Sequence, residues 1–221
     1  ARFGLGMSYY RQEEWEKAAK QLERLLDAAR VGELAAASYY QADCLIHTMP
    51  ENADDALSAA RLSGQLEESA KLLSGFVTSN VETPEMPDAM LKLADCYQRN
   101  AAILADQQEK VKTLQSARET YDKLLQKYPK HPAFAQAVMD RSRCMAAMGD
   151  AGGAINELNR FRNDGNLMKS DVAPQALVRL SELMVRHGRA VDAVVRLDKA
   201  RKDYEPQLAK DPKRAQWIPA L

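Results

Sequence analysis

Apolar residues recur every three or four positions along most of the chain, and no stretch alternates apolar with polar residues for long. The first spacing lines one face of an α-helix, whereas a half-buried strand needs the second. Ala, Leu, Glu, Lys, Gln, Arg and Met dominate, all residues that lose little on entering a helix. The nine prolines, at 50, 84, 87, 129, 132, 174, 206, 212 and 219, mostly fall where an apolar-periodic run has ended or is about to begin. A residue without an N–H is tolerated there. The pattern predicts an all-α chain of helices about a dozen to two dozen residues long, joined by short turns.

Helix, turn, helix, turn is the layout in which internal repetition is expected. The opening stretch FGLGMSYYRQEEWEKAAKQLERLL carries Leu5-Gly6, Tyr9, Trp15, Ala18, Leu22 and Leu25. A second copy has Ala42, Leu45, Leu66, Ser69, Leu73 and Phe76, and a third has Leu93, Ala94, Tyr97, Leu114, Ala117, Tyr121 and Leu124, closed by Pro129. A fourth has Ser142, Met145, Gly149, Ala154, Leu158 and Phe161, and a fifth Leu180, Ser181, Met184, Gly188, Ala193, Leu197 and Ala200. In each, a small residue on a first helix faces a small residue on a second, with larger ones at helical spacing filling the gaps above and below.

This pattern resembles the tetratricopeptide repeat. The resemblance implies an all-α fold, an α-solenoid (right-handed superhelix) of about five helix hairpins with a concave surface. The expected organisation is a single array over 1–221, with repeats at about 1–30, 32–82, 86–129, 132–164 and 171–206, and the start of a further helix over 212–221. Because residue 1 already lies inside an apparent helix, the chain is expected to be a segment of a longer protein.

The repeat spacing departs from the family. The small residues of the second helices lie 51, 48, 37 and 39 residues apart, against about 34 in the family. The excess sits between the helices of the second and third copies, at 46–64 and 98–113, in helix-forming sequence. Lengthened hairpins are therefore expected, projecting from one edge and packing on each other as a ridge.

Formal charge is zero, 31 basic against 31 acidic residues, and the two signs are interspersed. Neither nucleic acid nor an anionic membrane would be drawn to such a chain at long range, and no apolar run is long enough for membrane insertion. The three cysteines share one repeat position, before Leu45, Tyr97 and Met145, and read as a buried seam rather than as a disulfide framework. Cys44 and His47 stand one turn apart, but zinc needs three or four ligands and no second pair exists in the sequence. GDAGGA at 149–154 lacks the Lys-Ser/Thr ending of a phosphate loop. No catalytic residue, metal site or cofactor is expected.

The candidate chemistry lies in the column just before the cysteines: Met7, Asp43, Asp95, Arg143 and Glu182. In the family this face of the first helices lines the concave groove. With its neighbours it nominates Tyr10, Tyr39, Asp43, His47, Asp95, Arg99, Arg143, Glu182 and Arg186 as a partner-binding groove. The expected function is that of a scaffold binding a peptide segment or a partner subunit. The alternatives are a non-catalytic repeat region of a larger enzyme or regulator, or an assembly subunit docking through the ridge. The 37 and 39 spacings resemble bacterial envelope members of the family, and both a bacterial envelope or periplasm and a cytoplasmic location fit.

Overall fold

A computed structural model describes residues 1–50, 55–79, 82–210 and 219. Among them are eleven α-helices and no strand. The chain divides into two compact units, Ala1–Tyr128 and Pro129–Leu221. The further helix expected over 212–221 lies outside the described residues except for position 219.

The first unit holds three hairpins: α1 (Arg2–Arg11) with α2 (Trp15–Glu23), α3 (Ala37–His47) with α4 (Ala56–Thr78), and α5 (Met86–Ile103) with α6 (Gln107–Lys127). Each second helix also packs on the next first helix, α2 on α3 and α4 on α5. The second unit holds α7 (Ala133–Ala147) with α8 (Ala151–Asn163), a single turn α9 (Gly165–Met168), and α10 (Ala173–Arg186) with α11 (Ala190–Leu208), α8 packing on α10. A single hairpin buries only part of its apolar surface, and the stacking covers the rest.

The extra length of the second and third copies is carried by the helices themselves. α4 runs for 23 residues, α5 for 18 and α6 for 21, against 9 for α2 and 13 for α8. Their shared end is open surface rather than the mutually packed ridge the sequence suggests: Leu57 is 81% exposed, Ile103 43% and Val111 41%.

Asp side chains start three of the second helices. Asp55, Asp106 and Asp150 accept from the backbone N–H of Ser58, Glu109 and Gly153, each at 2.8 Å. Such caps satisfy N–H groups that the helix leaves unpaired. The turn before α8 passes through Gly149 at φ +88° and the turn before α11 through Gly188 at φ +75°. The matching position of the first hairpin, five residues before its small residue Ala18, is Glu13, which takes φ +58°. An L-residue pays for that conformation with a clash between Cβ and backbone that glycine lacks. Replacing Glu13 by Gly should therefore stabilise the chain by roughly 0.5–1 kcal/mol in denaturant titration, and a loss of stability would show that the Glu13 side chain has a compensating contact.

Candidate functional site

The first unit uses its share of the nominated residues internally. Asp43, on α3, is 2% exposed. Its carboxylate accepts from the Tyr10 hydroxyl of α1 and lies 2.7 Å from the Lys92 ammonium of α5. Lys92 also meets Asp88 at 2.6 Å and donates to the Tyr39 hydroxyl at 3.2 Å, while Tyr39 donates to Asp88 at 2.5 Å. Tyr40 donates to Glu85 at 2.7 Å, just before α5 begins. Around this polar thread the rings of Tyr10, Trp15, Tyr39 and Tyr40 pack edge to face, and Trp15 stacks on His47 at 4.2 Å. The three first helices of the unit are thus tied to one another through Asp43.

The surroundings raise the protonation equilibria of the network's tyrosines and lysine, while Glu85, despite its burial, is held lower by the bond from Tyr40. Burial, and then the bond to Asp43, raises the Tyr10 hydroxyl, and burial with Asp88 raises Tyr39. Burial with Glu85 pushes Tyr40 up to about 12. For Lys92 burial works against the charge, but hydrogen bonds to Asp43 and Asp88 outweigh it and the ammonium is held above its ordinary range. Cys44, Cys96 and Cys144 are all buried. Burial, helped by the neighbouring Asp43 and Asp95 respectively, pushes the thiols of Cys44 and Cys96 up to about 12, so neither offers a thiolate near neutral pH.

Tyr10, Tyr39, Asp43 and His47 therefore come together as the column suggests, yet Asp43 is turned inward and its charge is neutralised inside the fold. Buried and bonded to Lys92 and Tyr10, Asp43 has no exposed carboxylate to offer a partner, which corrects its place in the nominated groove. Asp95 and Arg99 lie half-buried on α5, flanking Cys96. The residues that complete the network, Lys92, Asp88, Tyr40 and Glu85, escaped the column reading. Lys92 stands three residues before Asp95 and Asp88 seven before it, one and two turns along the same helix.

In the second unit Arg143, Glu182 and Arg186 share an open groove between α7 and α10, of about 670 Å³. Ser142, Ala146, Ala147, Leu158, Val178 and Leu183 supply its small and apolar walls, and Gln175, Arg179 and His187 its other polar groups. Arg143 meets Asp140 of its own helix at 3.2 Å. Arg179 is half-buried, and burial followed by the proximity of Arg143 holds its guanidinium below the usual range. Among the described residues Arg179, Glu182 and Arg186 make no hydrogen bond or ion pair. No group of three or more His, Cys, Asp or Glu side chains among the described residues is arranged to hold a metal.

Residues 3–63 and 88–131 match family models described as tetratricopeptide repeat. No curated protein sequence matches the chain. Among solved structures, one described as "MamA MSR-1 C2" superposes with a TM-score of 0.62 at 12% identity, covering 91% of this chain and 94% of that one. A thermophilic TPR protein of Thermus thermophilus gives 0.57 at 17% identity, covering 98% and 97%. A Podospora anserina putative kinesin light chain with nearly identical TPR-like repeats gives 0.58 at 18% identity, covering 96% and 95%. At these identities the likeness is one of fold.

Two outcomes test the network. Lys92→Met would leave Asp43 charged, buried and without its cation, and should cost about 3 kcal/mol in chemical denaturation; a cost under about 1 kcal/mol would mean that Tyr10 alone satisfies the carboxylate. The raised groups also give a direction to pH dependence. Each holds its proton more tightly folded than unfolded, so its contribution is complete below about pH 9 and drains away as pH climbs through the folded values. The melting temperature should fall steadily from about pH 9 to 11 under reducing conditions, less steeply in Tyr10→Phe, and a flat profile would contradict the account.

Proposed function

We propose that this chain, a tetratricopeptide-repeat protein, is a non-catalytic docking module that receives a peptide segment of another protein in the groove between α7 and α10. Tetratricopeptide repeats mediate protein–protein interaction, and this gives the class of function. The observation that carries the finer reading is the contrast between the two halves of the nominated column. In the first unit Asp43 is buried and bonded to Tyr10 and Lys92, whereas in the second Arg143 is paired only along its own helix, with Asp140, and Glu182 and Arg186 line a groove without a hydrogen bond or ion pair among the described residues. A cleft of this size with apolar walls and a few polar groups suits a short stretch of side chains.

The buried, proton-retaining cysteines support the non-catalytic part of the reading, since a nucleophilic thiol needs its thiolate.

Ala147 closes α7 at the groove's edge and is exposed, so a larger side chain there has room to fold and fills the space a ligand would take. Ala147→Trp in the full chain should leave the circular dichroism spectrum and melting temperature unchanged and abolish retention of the protein that co-purifies with the wild type. Retention that survives Ala147→Trp but is lost with Leu57→Asp and Val111→Asp would move the contact to the exposed ends of α4 and α6.

A further inference from the structure

We infer that a cleft between the second helices α8 and α11 is a recognition site separate from the α7–α10 groove, and that it takes the phosphoryl group of a phosphorylated serine or threonine on a partner protein. Arg162 of α8 and Arg196 and Lys199 of α11 all line it, together with apolar Phe161 and Leu177. Asp203 is the one acid among the described lining residues, so the cleft stays net positive. Its volume is about 50 Å³. At about 30 Å³ per water molecule it admits one compact group, not a peptide main chain or a base.

The repeat itself does not call for these charges. Counting from the small residue of each second helix, Arg162 stands where Val77 does, eight residues after Ala154 and Ser69 respectively. Arg196 stands where Thr120 does, three after Ala193 and Ala117, and Lys199 alone has a basic counterpart, Lys123. The corresponding groove of the first unit, between α4 and α6, is accordingly lined by Val77, Met90 and Lys123.

Nor does local pairing account for them. Arg189, Arg201 and Lys202 meet Asp192, Glu205 and Asp198 at 3.1, 3.0 and 2.6 Å. Arg162 and Lys199 make no hydrogen bond or ion pair among the described residues, and Arg196 donates to the Asn159 side-chain oxygen at 3.1 Å. Arg162 lies in the last turn of α8, where a helix favours a cation, but Arg196 lies in the body of α11 and is partly buried. Burial, and then the nearby Arg162 and Arg189, hold its guanidinium below the usual range. A dianion with three acceptor oxygens placed among these groups would offset their repulsion and gain charge-assisted hydrogen bonds.

The surroundings favour one phosphoryl group on a side chain over a membrane or a nucleic acid. Asp192, Asp198 and Glu205 lie along the same helix, so the positive patch is small and flanked by acids. A row of backbone phosphates or a sheet of anionic headgroups would press further anions against those acids, and the chain has no net charge to compensate. A single phosphoserine or phosphothreonine meets the cations alone.

The test passes the full chain over an immobilised synthetic library of short peptides, each with a central phosphoserine or phosphothreonine, and measures retained sequences by fluorescence anisotropy. Phosphatase treatment of a retained peptide should weaken binding at least about tenfold, as should Arg162→Val or Lys199→Gln in the protein. Affinity should fall with added salt. Arg162→Val installs the residue that the first unit carries at this position, so the melting temperature should hold or rise; should it fall, Lys199→Gln, an exposed side chain with no ion pair, gives the same readout. Ala147→Trp, at the other groove, should leave phosphopeptide binding unchanged.

Retention that survives phosphatase treatment, or full affinity in the Arg162→Val, Lys199→Gln double variant, would overturn the inference. Loss of binding in Ala147→Trp would move the phosphopeptide to the α7–α10 groove and overturn it likewise. Inorganic phosphate that competes at the affinity of the peptides themselves would reduce the cleft to a free-ion site. Co-sedimentation with vesicles containing phosphatidylinositol phosphate, lost in the double variant while the peptide library is not retained, would assign it to a lipid headgroup instead.

Discussion

Two helices joined by a turn of a few residues can bury a common face only if something small lies where they come closest. A side-chain carbon added at Gly6 would meet the Leu22 Cγ and Cδ2 at 2.9 Å, inside van der Waals contact. The same requirement is met by Ala18, Ala42, Ser69, Ala94, Ala117, Ser142, Ala154, Ser181 and Ala193, all buried to within 2%. Once these positions are small, the neighbouring Leu, Tyr, Phe and Met residues interdigitate across the hairpin and the cysteines fall into the seam between helices. The register of the charged column follows from this, because a helix fixed by its tightest contact has no freedom left to rotate.

The fold was legible because its determinants are local and periodic. Gly6 and Ala18, or Ser142 and Ala154, lie 12 residues apart and repeat with the same neighbours, so a single chain displays them several times. Much of the candidate site was not legible, for the opposite reason. Asp43 and Lys92 are 49 positions apart, and their meeting depends on how far one hairpin is offset from the next, which the lengthened α4 disguises. A column of like positions cannot tell an inward carboxylate from an outward one until the residues of the adjacent helix are known. One signal was available and unused: Glu13 aligns with Gly149 and Gly188, so the shared turn could have been read as left-handed from the two glycines.

The two units give opposite answers to one electrostatic problem. First helices stacked side by side bring their polar faces close, and charges there must be paired, hydrogen-bonded or left to an outside ligand. Tyr10, Asp43, Lys92, Asp88 and Tyr39 take the first course and gain rigidity. In the second unit Arg143 is paired along its own helix, with Asp140, and Arg179 and Glu182 line an open groove instead of bridging one first helix to the next.

Stacked repeats ordinarily loosen from the ends, since each hairpin is held only by its neighbour and the outermost one has a single neighbour. Asp43 alters that rule for the N-terminal unit. It is bonded forward to α5 and backward to α1 at once, so peeling away the first hairpin strips a bond from a carboxylate that must stay buried, and loosening the third strips the other. Amide protons of α1, α3 and α5 would then exchange through one shared opening, giving a concerted block of three hairpins within an architecture that usually frays piece by piece.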